Sequence, residues 1–182
     1  MEAYYAFVRK IVDAFGRVGL DYAFTGALAI SFYGVPRTTS DIDVIVQVAS
    51  ESVIKAKLNE ALRMAGLTVD ERKIDSALLS GFRIVTFKDK SSPYSIDVIL
   101  SSEKLDKRAG KIAGLDTYFQ SPEGLIVAKL RMIKATLPPE RSGKDKADVK
   151  AILAFTWVDV EAVKRQARRD NTLGIFEALT VG

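Results

Sequence analysis

Asp41 and Asp43 stand two residues apart in Asp41-Ile42-Asp43-Val44-Ile45-Val46, a β-branched run of the kind that fills a sheet. Alternation along a strand sends both carboxylates to the same face. Like charges held that close repel, and each is costly to bury unpaired. A divalent cation between them removes the cost and supplies the Lewis acid that phosphoryl or nucleotidyl transfer needs. A third acid, Asp97, interrupts an equally apolar run, Tyr94-Ser95-Ile96-Asp97-Val98-Ile99-Leu100. If its strand lies beside the first, three carboxylates converge at one sheet edge. Two metals there can grip the attacking and leaving oxygens of an in-line displacement. Taken singly, each feature has a plainer reading. The pair is also a capped strand end with Asp41 bonding loop amides, and Asp97 is also an acid on the wet face of an edge strand. The combination is what points to chemistry.

The chain has 182 residues with no Cys and no His. Those two absences exclude disulfide scaffolds, thiolate nucleophiles, zinc fingers and Ser-His-Asp triads. Any metal must be held by oxygen, which favours Mg²⁺ or Mn²⁺. Acid–base groups must come from Asp, Glu, Lys or Tyr. The formal charge of +4 tilts the chain towards anionic partners such as nucleotides or RNA, and equally suits plain solubility. Asn59 and Asn171 are the only asparagines, which together with the absent Cys suggests a thermophilic source. No apolar run approaches the ~20 residues that span a bilayer. The start, Met1-Glu2-Ala3-Tyr4-Tyr5, carries acid and aromatics where an export signal carries basic and apolar residues. A cytoplasmic protein without membrane contact is expected.

These acids need elements to hold them. Apolar spacing predicts a helix over Tyr4 to Val18, stopped at Gly19. A short strand over Asp21 to Thr25 breaks at Gly26, and a helix over Ala27 to Tyr33 ends at Gly34 with Pro36 beyond. The polar loop Arg37-Thr38-Thr39-Ser40 then leads into the Asp41 strand. Glu51 to Ala65 reads as an amphipathic helix. Gly81 to Phe87 and Tyr94 to Leu100 read as strands paired antiparallel across Lys88–Pro93, and Leu115 to Phe119 as a further short strand. From Ser121, an N-cap with Pro122 at the first helical position, the pattern is helical. Leu137-Pro138-Pro139-Glu140 interrupts it, and a second helix runs from Ser142 or Gly143 to about Phe155. Val158 to Arg168 and Leu173 to Leu179 complete a tail that packs on its own core or on a second copy of the chain. The order predicts an α/β core over residues 1–120 and a C-terminal helical part over 121–182.

Gly26 follows a strand and opens a helix, so backbone N–H groups there can cradle phosphate, although ordinary packing uses the same corner. Arg37, Thr38, Thr39 and Ser40 offer a cation and hydroxyl donors just ahead of the acids, or form a solvated loop.

Taken together, the segment GALAISFYGVPRTTSDIDVIV resembles the signature of the nucleotidyltransferase superfamily, with Gly26, the Asp41–Asp43 pair and Asp97 in the corresponding places. Gly34, Arg37, Thr38 and Asp41-Ile42-Asp43 resemble its AbiEii-type branch, which includes toxins of toxin–antitoxin systems. Ser121 to Leu130 looks like that branch's lysine-bearing helix, and Arg141, Lys144-Asp145 and Asp148 look like its following Lys-Asp helix. The similarity extends over roughly residues 20 to 155.

The resemblance implies a mixed sheet flanked by helices. It also implies transfer of a nucleoside monophosphate from a nucleoside triphosphate to a hydroxyl of an RNA or protein acceptor, releasing pyrophosphate. Asp41 and Asp43 would ligate both Mg²⁺ (or Mn²⁺) ions, while Asp97 would ligate one and help activate the acceptor as base. Gly26, Ala27, Arg37 and Thr38 would meet the nucleotide. Lys129 and Lys144 would meet its triphosphate, with Asp145 orienting Lys144 or the nucleotide. A toxin role adds an antitoxin partner. One departure stands out: Ala27 occupies a place where many active members have Ser or Gly, so no hydroxyl reaches phosphate from it. That keeps a second reading open, a catalytically weak or inactive nucleotide- or partner-binding module on the same fold. Lys129 and Lys144 also read as surface helix charges, and Asp145 and Asp148 as solvated helix acids.

Overall fold

The computed structural model describes residues 2–80 and 83–181. In chain order the elements are α1 (Glu2–Val18), β1 (Tyr22–Thr25), α2 (Gly26–Phe32), β2 (Asp41–Gln47), α3 (Glu51–Met64) and α4 (Glu71–Leu79). Then follow β3 (Ile84–Lys88), β4 (Ser95–Ser101), β5 (Lys107–Ile112), β6 (Leu115–Gln120) and α5 (Pro122–Ala135). A 3₁₀ turn at Pro139–Ser142 leads to α6 (Gly143–Phe155), α7 (Val160–Arg169) and α8 (Leu173–Thr180). No described helix is long and apolar enough to cross a membrane. The chain divides into two compact units, Met1–Leu28 with Thr38–Gln120, and Ala29–Arg37 with Ser121–Gly182.

In the first unit six strands form one mixed sheet in the order β3-β4-β2-β1-β6-β5. β2 pairs parallel to β4 and antiparallel to β1, and β1 pairs parallel to β6. The expected antiparallel pair is β3 with β4; Gly81 and Phe82, where that first strand was expected to begin, lie outside the described residues, as does Met1. On β2 the residues Ile42, Val44 and Val46 are fully buried, and on β4 so are Ile96 and Val98. Phe7, Ile11 and Phe15 of α1 and Leu58 and Leu62 of α3 are buried too. Each such side chain contributes about 1.5–3 kcal/mol by leaving water. The odd-numbered face of β2 and β4 carries Asp41, Asp43, Ser95 and Asp97, with Ile45 and Ile99 farther along.

Two elements of this unit were not expected. α4 is capped by Asp70, whose carboxylate accepts from the Arg72 N–H at 3.1 Å, and it buries a narrow stripe of Ile74, Ala77 and Leu78. β5 has the unpromising sequence KRAGKI and owes its existence to pairing with β6. The connecting residues Ala113 and Gly114 both have positive φ, 51° and 84°, as a two-residue hairpin turn requires. An alanine in such a turn hides the usual Asn-Gly or Asp-Gly signal.

The second unit is helical. Ser121 caps α5, its hydroxyl accepting from the Gly124 N–H at 2.9 Å, and Asp159 caps α7 by accepting from the Ala162 N–H at 2.9 Å. Such caps contribute about 1 kcal/mol each. Glu123 of α5 accepts from the Asp159 N–H at 2.7 Å and so ties the start of α5 to the start of α7. Ile126, Leu130, Val149, Ile152, Val163, Ala167 and Phe176 are buried.

Candidate active site

The parallel pairing of β2 with β4 puts Asp43 directly beside Asp97, and Asp41 beside Ser95. On its other side Asp43 is the register partner of Thr25, while Asp97 is the partner of Thr86. Thr86, Asp97, Asp43 and Thr25 therefore form one row across four adjacent strands, on the face opposite Ile42, Val44, Ile96 and Val98. The condition set from sequence, adjacency of the two acid-bearing strands, is met.

Each end of the acid set is held by hydroxyls. Ser95 donates to Asp41 at 2.5 Å, with the Ser40 hydroxyl 3.4 Å from its other oxygen. Thr86 donates to Asp97 at 2.5 Å. The loop also shapes the strand start, because the Asp41 N–H donates to the Thr39 hydroxyl at 3.1 Å. Asp41 thus takes hydroxyl partners where loop amides were the plainer expectation. As the side chains stand, no group of three or more acidic side chains among the described residues is gathered closely enough to hold an ion. In this arrangement Asp41 and Asp97 accept from Ser95 and Thr86.

Gly26 abuts the row. It has φ of +57°, and a Cβ on it would collide with an Asp43 carboxylate oxygen and lie 2.8 Å from Asp43 Cγ. Any other residue would evict the acid, so the glycine is needed for close approach as well as for its backbone. A glycine cradle and an all-oxygen donor set fit a hard divalent cation. Ala27 follows Gly26, half-buried, and Thr38 is exposed.

The basic candidates lie in the second unit. Lys129 Nζ is 2.7 Å from Asp145 and 3.1 Å from Asp148, with 13% of its side chain exposed. Arg37 joins the same cluster through an ion pair to Asp148, while its Nε is buried without a partner. Burial opposes the charge on Lys129, but bonds to Asp145 and Asp148 outweigh it and hold the ammonium above its usual range. Two plainer expectations are corrected here. Lys129 is no surface charge, and Asp148, 1% exposed, is no solvated acid. Both sit where α5 and α6 pack, and each neutralises the other. Lys144 is exposed and makes no ion pair among the described residues.

Sequence reasoning overlooked Ser95 and Thr86. Ser95 shares a strand face with Asp97, two residues on, whereas Thr86 comes opposite Asp97 only through the observed β3–β4 register; a hairpin closed directly across Lys88–Pro93 would have set Ile84 there.

No protein-family model matches the chain, and no curated relative does. Solved structures do resemble it. A solution structure of the antibiotic-resistance factor ANT(2'')-Ia matches with a TM-score of 0.65 at 15% identity, covering 97% of each chain. A crystal structure of the same factor in complex with adenylyl-2''-tobramycin gives a TM-score of 0.61 at 15% identity, over 92% of this chain and 96% of that one. An antigenic nucleotidyltransferase-like protein from Paracoccidioides brasiliensis gives 0.61 at 13% identity, over 97% and 92%. At these identities the likeness is one of fold: the chain has a nucleotidyltransferase fold.

Proposed function

We propose that this chain is a divalent-metal-dependent nucleotidyltransferase whose acids are Asp41, Asp43 and Asp97. The observation that carries the reading is the register of β2 and β4, which sets Asp43 beside Asp97 with Gly26 making room for the Asp43 carboxylate. Asp41 and Asp43 would hold the ions, and Asp97 would take the proton from the acceptor hydroxyl. The acceptor oxygen bonds to the α-phosphorus as the bond to the bridging oxygen breaks, and pyrophosphate leaves with that electron pair. Bound Mg²⁺ would neutralise charge on the phosphate oxygens.

The acceptor is the looser part. The second unit carries twelve basic against eight acidic residues, whereas the first is balanced at fifteen of each. On α7, Arg165, Arg168 and Arg169 are exposed opposite the buried Val163 and Ala167 and make no ion pair among the described residues. That excess favours an anionic acceptor such as RNA over a protein. The narrower AbiEii-type reading, with a toxin role and an antitoxin partner, rests on the Lys129 and Lys144-Asp145 motifs. Growth arrest on expression, relieved by a neighbouring small gene product, tests it.

The test of activity is incubation with each α-labelled nucleoside triphosphate, Mg²⁺ and cellular RNA or protein, beside Asp43→Asn. Label on RNA that vanishes in the variant is expected. No Asp43-dependent label on any acceptor would refute transfer. Ala27, which removes a hydroxyl from the Gly26 corner, favours the second reading of a binding module. Metal-dependent thermal stabilisation without turnover would mark it.

A further inference from the structure

The sheet face that carries the acid row carries a second row beside it. Ile99 of β4 is the register partner of Ile45 on one side and of Ile84 on the other, and Ile45 also pairs with Ala23. Phe24 pairs with Phe119 in parallel, so Tyr118 of β6 stands beside Ala23. The Thr25 hydroxyl donates to Gln120 at 2.5 Å, which puts Gln120, and Tyr118 two residues before it, on this same face. An apolar band of Ile84, Ile99, Ile45, Ala23 and Tyr118 thus runs alongside Thr86, Asp97, Asp43 and Thr25. Two residues of strand, about 6.6 Å, separate the rows.

Both ends of the band meet solvent, with Ile84 41% and Tyr118 43% exposed. The Tyr118 end is also basic. Lys107, Arg108 and Lys111 of β5 face only Asp116 among the acids of the β5–β6 hairpin. Lys107 Nζ stands 4.0 Å from the centre of the Tyr118 ring and pairs with Asp21, while Lys111 pairs with Asp116 at 3.1 Å. An exposed ring on a sheet face with cations around it suits single-stranded nucleic acid, whose bases stack on the ring while its phosphates meet the charges.

The spacing of the rows discriminates between acceptors. A ribose hydroxyl stands a whole sugar ring away from its base, so a hydroxyl over the acids leaves the base above Ile45 and Ile99. A tyrosine hydroxyl sits on its own ring, which would lie over the acids and leave the band bare. A serine has no ring to lay there.

We propose that this band is the acceptor surface for single-stranded RNA, with the terminal base on Ile45 and Ile99 and a preceding base stacked on Tyr118 beside the cations of β5. The inference rests on reading the acid row as the site of nucleotidyl transfer. It adds the place where the acceptor lies.

The test is the binding of a short fluorescent single-stranded RNA, followed by anisotropy without nucleoside triphosphate. Tyr118→Ala is expected to bind about tenfold more weakly than wild type, the loss of one stacked base. Tyr118→Phe should bind like wild type, and Tyr118→Leu, which keeps apolar bulk for folding, should bind nearly as weakly as the alanine variant. An RNA ending in photoreactive 4-thiouridine should crosslink to the β2 or β4 peptide. ATP affinity should be equal in wild type and Tyr118→Ala. Wild type that binds no RNA, equal RNA affinity in all four proteins, or crosslinks confined to other elements would each overturn the proposal. So would loss of ATP affinity with RNA affinity kept, which would give the ring to the donor nucleotide, or label passing to protein alone. Tyr118-dependent RNA binding without transfer of label would remove the reaction and leave the surface standing. Transfer to RNA with an indifferent Tyr118 would do the reverse.

Discussion

Gly26 and Asp43 share a space that cannot hold a side chain on the first and a carboxylate from the second. Gly26→Ala would suffer twice, from a left-handed backbone at φ +57°, costing about 1–2 kcal/mol, and from the displaced acid. The variant should melt lower and lose most of its Mn²⁺ affinity. A stable Gly26→Ala with undiminished affinity would show that Asp43 binds nothing from this position.

Lys129 is the counterion of a nearly inaccessible carboxylate, Asp148, in the packed helical unit. Lys129→Met should destabilise by about 3–5 kcal/mol in urea unfolding, because Asp148 would keep only Arg37 and Asp145 would lose its cation. Lys144→Met, on an exposed side chain, should stay within about 0.5 kcal/mol. Equal effects at the two positions would contradict the cluster.

Asp170 caps the C-terminal end of α7, where an acid is disfavoured by the helix dipole. Arg131, 2.7 Å away, outweighs burial and holds the carboxyl below its usual range, helped by Gln166 and Lys134. A depressed folded-state value means stability that is complete above the unfolded value of about 3.9 and is lost as pH falls through the folded one. Asp170→Asn should therefore be less stable than wild type near neutrality, and the gap should close below about pH 4. A gap that persists at lower pH would assign it to packing.

Burial, then the charges of Tyr5, Asp43 and Asp41, push the Tyr4 phenol up to about 12. The folded state thus keeps a proton that the unfolded chain releases near 10, so this group's contribution is full below pH 10 and falls between 10 and 12. In ultraviolet titration a tyrosine step near pH 12 should be present in wild type and missing in Tyr4→Phe. Its persistence in the variant would assign it to another tyrosine.

Much of this was legible in the sequence, for reasons particular residues make plain. Alternation in Asp41–Val46 and Ile96–Leu100 fixed which side chains share a face, and the Lys88–Pro93 turn fixed the β3–β4 pairing. Ser121 and Pro122 marked the start of α5. The failures were non-local or masked. β5 is defined by its partner strand, since Lys107–Ile112 has little strand character alone, and Ala113 conceals the turn. Charge type alone made Lys129 and Asp148 look like surface residues, because their mutual neutralisation exists only once α5 and α6 pack. The hydroxyl partners of Asp41 and Asp97 depend on register across strands 54 and 11 residues apart, which composition does not report.

The parallel pairing of β2 with β4 has a consequence for assembly. An antiparallel neighbour can arrive through a hairpin, but a parallel one needs its crossover, here α3, α4 and β3, to close first. The two halves of the row, Thr25 with Asp43 and Asp97 with Thr86, belong to antiparallel pairs, and only that closure brings the two acids together. Any lesion in the crossover that stops β4 from docking disarms the protein outright, so cation capture and completion of the sheet should report a single event.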